Sequence, residues 1–126
     1  MIVYCLQKFS ISTGWSYQQE KNKQTTTILL EVQLPIISNE QCMSMFKSSG
    51  QDEWIPNIFL CAGAASGGKY ACDGDDGGPL VVKSSNGRYT LAGVISWGIG
   101  CGDRNRPGVY TRISEFRSWI KRNTGY

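Results

Sequence analysis

The sequence predicts an all-β domain that ends in one α-helix. Short apolar segments alternate with glycine-rich loops along most of the 126 residues, as expected for a chain of many short strands. Alternation of apolar and other side chains is clearest in residues 28–35, and helical spacing of apolar residues appears near the C-terminus.

The first strand that the sequence predicts covers residues 28–35 and ends at Pro35. The apolar side chains that mark one face of it are Ile28, Leu30, Val32 and Leu34. Residues 1–12 carry no clear turn or cap signal, and residues 16–27 are polar enough for a surface loop. We therefore expect regular structure to begin with this strand.

A short helix should follow, because Ser38 and Gln41 have the spacing of a capping box; it would carry Cys42 and end near Phe46. Further strands are expected at Ile58 to Ala62, Pro79 to Lys83, Leu91 to Trp97 and Gly108 to Thr111, with a Ser-Ser-Asn-Gly-Arg turn at residues 84–88. The amphipathic pattern of the last helix is formed by Ile113, Phe116, Trp119 and Ile120, with Lys121 and Arg122 in its final turn.

Size and charge limit the possible functions. A 13.9 kDa chain with 40% hydrophobic residues can bury one core, so a single domain is expected. The formal charge of +3 comes from 13 basic and 10 acidic side chains without a run of like charge. We expect no nucleic-acid partner, no membrane partner and no cofactor.

The cysteines indicate an oxidising compartment. Four of the five lie in loop-like sequence without the spacing of a zinc site, which favours disulfides. The apolar stretch Met1 to Leu6 lacks the basic region and cleavage site of a signal peptide, and no apolar run could span a bilayer. We expect a secreted or extracellular protein whose natural N-terminal part is absent from this sequence.

One segment concentrates backbone freedom and negative charge. It reads Cys72-Asp73-Gly74-Asp75-Asp76-Gly77-Gly78-Pro79-Leu80, with three carboxylates among glycines and a proline. Other recognisable segments occur in a fixed order around it. They are Thr13-Gly14-Trp15, Phe59-Leu60-Cys61-Ala62-Gly63, Ala92-Gly93-Val94-Ile95-Ser96-Trp97-Gly98, Gly100-Cys101 and Arg106-Pro107-Gly108-Val109-Tyr110-Thr111-Arg112-Ile113.

Together these segments resemble the second barrel of the chymotrypsin and trypsin family of serine proteases. The resemblance covers residues 13–126, leaves 1–12 unmatched, and is closest to the trypsin-like modules of extracellular mosaic proteases of insects and vertebrates. It implies a six-stranded antiparallel barrel with a C-terminal helix, docked against a first barrel that supplies the catalytic histidine and aspartate. This sequence contains no histidine.

The resemblance places Asp76 at the position of the nucleophilic serine. It also makes Gly74, Asp75 and Asp76 the oxyanion loop, in which the backbone N–H groups of Gly74 and Asp76 would hold the developing oxyanion. An ionised carboxylate about 4 Å from that oxyanion would repel it by about 4 kcal/mol at an effective dielectric near 20. We therefore expect no catalytic residue to be functional here.

The resemblance also implies a substrate pocket. Its base would be Tyr70, where trypsin-like members have an acidic residue, and its walls would include Ser96, Trp97, Gly98 and Gly108. A remnant peptide groove is one interpretation. The other, which we favour, is that the two glycines only preserve turns of the barrel.

Asp75 matches an aspartate that, in active relatives, pairs with a newly cut N-terminal isoleucine. Ile2-Val3 resembles that start only superficially. Three carboxylates in four residues could bind calcium, but the calcium-loop spacing is missing, so a solvated loop without metal is expected.

The resemblance further implies the disulfides Cys42 with Cys61 and Cys72 with Cys101, and leaves Cys5 over. A third family bridge would join the positions of Ser10 and Val82, where both cysteines are absent together.

Three functions fit these observations. The first is a catalytically inactive protease homologue that acts through binding. The second is a fragment or isoform of a secreted trypsin-like endopeptidase whose missing first barrel carries the histidine and aspartate. The third is an independent disulfide-stabilised β module that serves in interactions.

Overall fold

The computed structural model describes residues 9–16, 24–69 and 71–126. A 3₁₀ turn, Ile113–Phe116, leads into the last helix. The strands are β1 (Phe9–Gly14), β2 (Leu30–Ile37), β3 (Phe59–Ala62), β4 (Pro79–Lys83), β5 (Tyr89–Trp97) and β6 (Gly108–Arg112), and the helices are α1 (Asn39–Ser48) and α2 (Arg117–Thr124). The predicted all-β fold with a C-terminal helix is confirmed.

The strands form a closed antiparallel barrel in the order β1-β2-β3-β6-β5-β4. The seams differ in length: β1 pairs with β2 from Phe9 opposite Pro35 to Gly14 opposite Leu30. By contrast, β2 and β3 pair only through Ile36 with Ala62 and Ile37 with Cys61. Pairing of β1 with β4 closes the barrel. Successive side chains along each strand point alternately into the barrel and out of it.

The expectation that regular structure begins at residue 28 is wrong, because β1 precedes it. The inward residues of β1 are Ser10 and Ser12, which are 0% and 2% exposed, whereas Phe9 is 54% exposed. Ser10 Oγ donates a hydrogen bond of 2.8 Å to the Leu34 carbonyl, which offsets the cost of burying the hydroxyl. Because the buried side chains of β1 are polar, the hydrophobicity pattern of the sequence does not reveal this strand.

The predicted end of the next strand at Pro35 is also wrong. The strand β2 passes through Pro35 to Ile37, and Ile28 and Leu29 lie exposed before its first residue. Proline has no N–H to donate, but it sits where β2 changes its neighbour from β1 to β3. The Pro35 carbonyl accepts a 3.0 Å hydrogen bond from Gly63 N, so the chain stays extended.

The buried side chains form two clusters. One fills the barrel and contains Leu34, Leu60, Ala62, Leu80, Ile95 and Tyr110. The other joins the barrel wall to α1 and contains Ile37, Cys42, Met45, Phe46, Ile55, Cys61 and Val109. Ser38 Oγ caps α1 by accepting from Gln41 N at 3.1 Å, as predicted, and the helix continues two residues past Phe46.

Hydrogen bonds from Arg112 and Asn39 fix the loop that precedes β3. Arg112 donates through Nε to the Asn57 and Phe59 carbonyls at 2.9 and 3.1 Å. Its guanidinium also donates to Asn39 Oδ1 at 2.8 Å. Because Asn39 Nδ2 donates in turn to backbone carbonyls of the same loop, α1, the loop and β6 are held together.

The C-terminal helix buries none of its side chains fully. Trp119 is 57% exposed, so the apolar stripe predicted for this helix is only partly covered. Neither helix in the described ranges has the length and apolar content needed to cross a membrane.

Candidate functional site

The carboxylate-rich loop is a series of tight turns before β4. Asp75 N donates to the Cys72 carbonyl at 3.0 Å and Gly77 N donates to the Ile95 carbonyl at 2.9 Å. Gly74 and Gly77 have φ values of +98° and +82°, a conformation that favours glycine. These two glycines therefore permit the turns that the loop makes.

Asp75 is buried at the centre of this loop, at 8% exposure. Its Oδ1 accepts from Ser16 N and its Oδ2 from Cys72 N, both at 3.1 Å. A Cβ at Gly14 would collide with the Asp75 carboxylate, so this glycine is what lets the side chain reach Ser16. The expectation of a solvated loop is wrong for Asp75, because two backbone N–H groups replace its water.

The expectation of exposure is correct for the two other carboxylates, Asp73 and Asp76. No group of three or more potential metal ligands is found among the described residues. The resemblance places Asp76 at the nucleophile position, and its side chain is turned toward solvent. Neither Gly74 N nor Asp76 N donates to a backbone acceptor among the described residues.

A small cleft of about 40 Å³ opens beside this loop, and we call it the Trp97 cleft. Its lining includes Trp97, Gly98, Gly108 and Tyr110, with Asp73 and Asp76 among the loop residues that border it. Three of these, Trp97, Gly98 and Gly108, are pocket residues that the resemblance implies. A further pocket residue, Tyr70, lies outside the described residues, as does Cys5.

The two pocket glycines have different reasons to be glycine. A Cβ at Gly108 would lie 3.0 to 3.2 Å from the ring and hydroxyl of Tyr110, so packing inside the barrel restricts this position. A Cβ at Gly98 would meet nothing within 4 Å. The favoured interpretation, that both glycines only preserve the barrel, therefore has a steric basis at Gly108 and none at Gly98.

Aromatic packing fixes the orientation of Trp97. The Phe46 ring stacks on it with centroids 6.0 Å apart, and the Phe59 ring meets it edge-on at 6.1 Å. The pairing of β5 with β6 shifts register between Ile95 and Trp97, and Ser96, which lies between them, is exposed. Hence α1 and β3 hold one wall of the Trp97 cleft rigid while its edge stays accessible.

Two buried hydroxyls near the site were not predicted from the sequence. Neither Ser12 Oγ nor Tyr110 Oη has a hydrogen-bond partner of good geometry among the described residues. Burial raises the pKa of Tyr110 to about 12; the neighbouring Ser12 hydroxyl acts to lower this pKa, and the Asp75 charge adds a smaller upward contribution.

A larger cleft of about 250 Å³ lies on the other side of Asp75. We call it the Asp75 cleft, and its lining includes Ser12, Gly14, Ser16, Asp75 and Ala71. Ala71 also lines the Trp97 cleft, so this residue borders both clefts. Sequence reasoning missed the Asp75 cleft because β1 and β2 line it together with loop residues that lie far from them in the chain, such as Ala71 and Asp75.

Two disulfides brace the site. Cys42 is bonded to Cys61 and Cys72 to Cys101, as the resemblance implies. The second bond anchors the carboxylate loop to the segment that borders the Trp97 cleft. Ser10 and Val82, the positions of the absent third bridge, are direct partners across β1 and β4.

Comparison with known proteins gives consistent matches. The trypsin family model matches residues 7–120. Serine proteinase stubble of Drosophila melanogaster is 55% identical over 108 residues, which cover 86% of this chain and 14% of the relative. Serine protease filzig of the same organism is 44% identical, over 90% of this chain and 7% of the relative.

Coagulation factor XII of Rattus norvegicus is 45% identical over 90% of this chain and 19% of the relative. The chain thus spans less than a fifth of each of these three proteins. The barrel, the disulfides and these matches agree, and the chain belongs to the trypsin family.

Proposed function

We propose that this chain is a non-catalytic member of its family that binds extended peptides at the Trp97 cleft. The observation that carries the proposal is Asp76. It presents an exposed carboxylate where the resemblance expects a nucleophilic hydroxyl, in a loop that is otherwise well ordered by hydrogen bonds.

Chemistry argues against hydrolysis by the chain alone. A serine nucleophile needs a base to take its proton, and the sequence contains no histidine to do so. An ionised Asp76 would also repel an oxyanion forming near Gly74 N and Asp76 N. Because Asp76 is exposed, water screens this repulsion, so about 4 kcal/mol is its upper bound.

Binding is supported by the geometry of the Trp97 cleft. Ser96 is exposed next to the packed indole of Trp97, and the space next to Gly98 is open. Asp73 and Asp76 give the border of the cleft a negative charge, whereas the nearby Arg106 is paired with Asp103 at 3.1 Å. An extended peptide with a basic side chain complements this arrangement.

Incubation with a serine-reactive fluorophosphonate and with arginine and lysine reporter peptides tests the loss of catalysis. We expect neither labelling nor turnover, and we expect the same for Asp76→Ser because no base is present. An active trypsin serves as the positive control. Specific labelling of the unaltered chain would refute the proposal.

Peptide binding has a separate readout in tryptophan fluorescence. Titration with an arginine-containing extended peptide should change the emission of the native chain, and Gly98→Val should weaken the response by filling the open space. Ser85→Val, on the exposed turn before β5, is the matched control. Equal responses from native chain and Gly98→Val would argue against this cleft.

A second candidate function is that of one barrel in a longer trypsin-like endopeptidase. An outward apolar face on β1, β4 and β5 favours it. Ile11 is paired with Val81 and Val81 with Leu91, so the three side chains point outward together, and Leu91 is 44% exposed. Phe9 extends the same face. An exposed face of this kind suits a partner barrel.

Co-expression with the first barrel of a relative tests this candidate. Stable association, and turnover by the complex only after Asp76→Ser, would support it. If instead the chain alone is a stable monomer with cooperative melting, the independent interaction module gains support. An extracellular location is part of all three proposals and is supported by the two disulfides.

A further inference from the structure

The turn that joins β4 to β5 contains Asn86 followed by Gly87. We propose that Asn86 is a site of spontaneous deamidation, through a cyclic succinimide, in the folded protein. Every residue from Lys83 to Leu91 is exposed, so water reaches the turn from all sides.

The residue after an asparagine controls this reaction, because the backbone nitrogen of that residue must reach the side-chain carbonyl carbon. Any side chain on it hinders the approach, and glycine has none. Asn86 alone among the six asparagines precedes glycine. The others precede lysine, glutamate, isoleucine, arginine or threonine.

One hydrogen bond of the turn favours the reaction. Arg88 N donates to Asn86 Oδ1 at 3.0 Å, which draws electron density from the carbonyl carbon and fixes the amide group. Gly87 has a φ of +82°, and a Cβ there would meet nothing within 4 Å, so the neighbourhood of the reacting atoms is open.

Another hydrogen bond opposes it. Gly87 N donates to the Ser84 carbonyl at 3.0 Å, and this bond must open before the nitrogen can attack. Exposed turns with few buried contacts open locally at low cost in free energy. The reaction therefore proceeds from a transiently opened turn of an otherwise folded barrel.

The step needs no reagent other than water. Gly87 N loses its proton to solvent and attacks Cγ of Asn86, so that a C–N bond forms; the side-chain nitrogen then takes a proton from solvent, its bond to Cγ breaks, and it leaves as ammonia. Water then opens the five-membered ring at either carbonyl. One opening gives aspartate and the other gives isoaspartate, in which the main chain runs through the side-chain carbons.

Either product changes the hairpin. A neutral amide becomes a carboxylate close to Lys83 and Arg88, which lowers the formal charge of +3 by one. Isoaspartate also lengthens the main chain inside the turn closed by the 2.8 Å bond from Ser84 N to the Arg88 carbonyl. The side chain at position 86 thus changes from a neutral to an anionic form.

Peptide mapping of the folded chain, incubated at mildly alkaline pH, tests the proposal. Asn57 and Asn123, which are exposed but followed by larger residues, are internal controls. We expect Asn86 to convert at least about tenfold faster than either, equivalent to about 1.4 kcal/mol in the activation barrier. The rate should rise with pH, since the attacking nitrogen must lose its proton.

Labelling with an isoaspartyl methyltransferase distinguishes the route. A mixture of isoaspartate and aspartate is expected from the succinimide, and Asn86→Gln should abolish the label at this position because its larger ring closes slowly. A rate at Asn86 no faster than at the controls would overturn the proposal, as would aspartate as the sole product. So would conversion in the urea-unfolded chain but not in the folded one.

Discussion

Asp75 and Asp76 are adjacent in the chain, but their environments are opposite. The Asp75 carboxylate is buried and accepts two backbone N–H groups, while the Asp76 carboxylate is exposed. The buried residue organises the loop, and the exposed residue occupies the position where the family resemblance expects chemistry. The difference teaches that neighbouring carboxylates in one loop can have opposite roles, one structural and buried, the other exposed beside a cleft.

The strongest test of this comparison is Asp75→Ala. The substitution leaves Ser16 N and Cys72 N buried without an acceptor, so we expect the free energy of unfolding to fall by about 3 kcal/mol. Urea denaturation measures it. Asp76→Ala is the matched control and should change stability by less than about 0.5 kcal/mol. Similar losses in the two variants would remove the distinction.

The ionisation of Tyr110 at alkaline pH is a second test of the difference between Asp75 and Asp76, because the Asp75 charge contributes to the pKa of Tyr110. Its pKa of about 12 lies above the usual 10, so between these values the unfolded chain releases the proton while the folded chain keeps it. Stability should therefore decline by about 2 kcal/mol as the pH rises from 10 to 12. Alkaline urea titrations measure the slope, which Tyr110→Phe should reduce.

Two further variants refine this result. Asp75→Asn should lower the pKa of Tyr110, because the Asp75 charge contributes to raising it. Asp76→Asn is the control and should leave the titration of Tyr110 unchanged. An equal shift in both variants would mean that Tyr110 does not distinguish the two carboxylates.

Gly14→Ala tests how the Asp75 side chain is accommodated. The new methyl group would collide with the Asp75 carboxylate, and we expect a loss of about 2 kcal/mol in stability. Gly98→Ala is the control, since nothing lies within 4 Å of its Cβ. The loss at Gly14 should shrink in the Asp75→Ala background, as a double-mutant cycle would show. If the loss of stability at Gly14 were just as large in the Asp75→Ala background, it would come from the backbone of β1 and not from the contact with Asp75.

Asp76→Ser gives the smallest expected effect. It restores the hydroxyl but supplies no base, so reporter-peptide turnover should stay at background. Stability should change by less than about 0.5 kcal/mol because the side chain is exposed. Measurable turnover by this variant would reveal a proton acceptor elsewhere in the chain.

The sequence predicted the strands whose buried faces are apolar. The bounds of β4 agree with the prediction, and β3 and β6 differ by one residue at one end. The strand β1 was missed because Ser10 and Ser12, rather than apolar residues, face the core. No periodicity could reveal it.

The environment of Asp75 could not be predicted for a different reason. Its partner Ser16 is 59 residues away in the chain, so the burial of Asp75 is a property of the closed barrel. Local sequence showed three carboxylates in four residues and therefore suggested solvent. The family resemblance supplied the position of Asp76, the pocket residues and the cysteine pairs, none of which composition or periodicity could assign.

The short seam between β2 and β3 has a mechanical consequence for the barrel. It rests on two residue pairs, whereas the seam between β1 and β2 has six. Cys61 lies in this seam, and its bond to Cys42 ties β3 to the helix that directly follows β2. The disulfide therefore stabilises the short seam. After chemical reduction, β2 and β3 should separate before any other pair of strands, and hydrogen exchange should rise at Ile36 and Ile37 before it rises in the other strands.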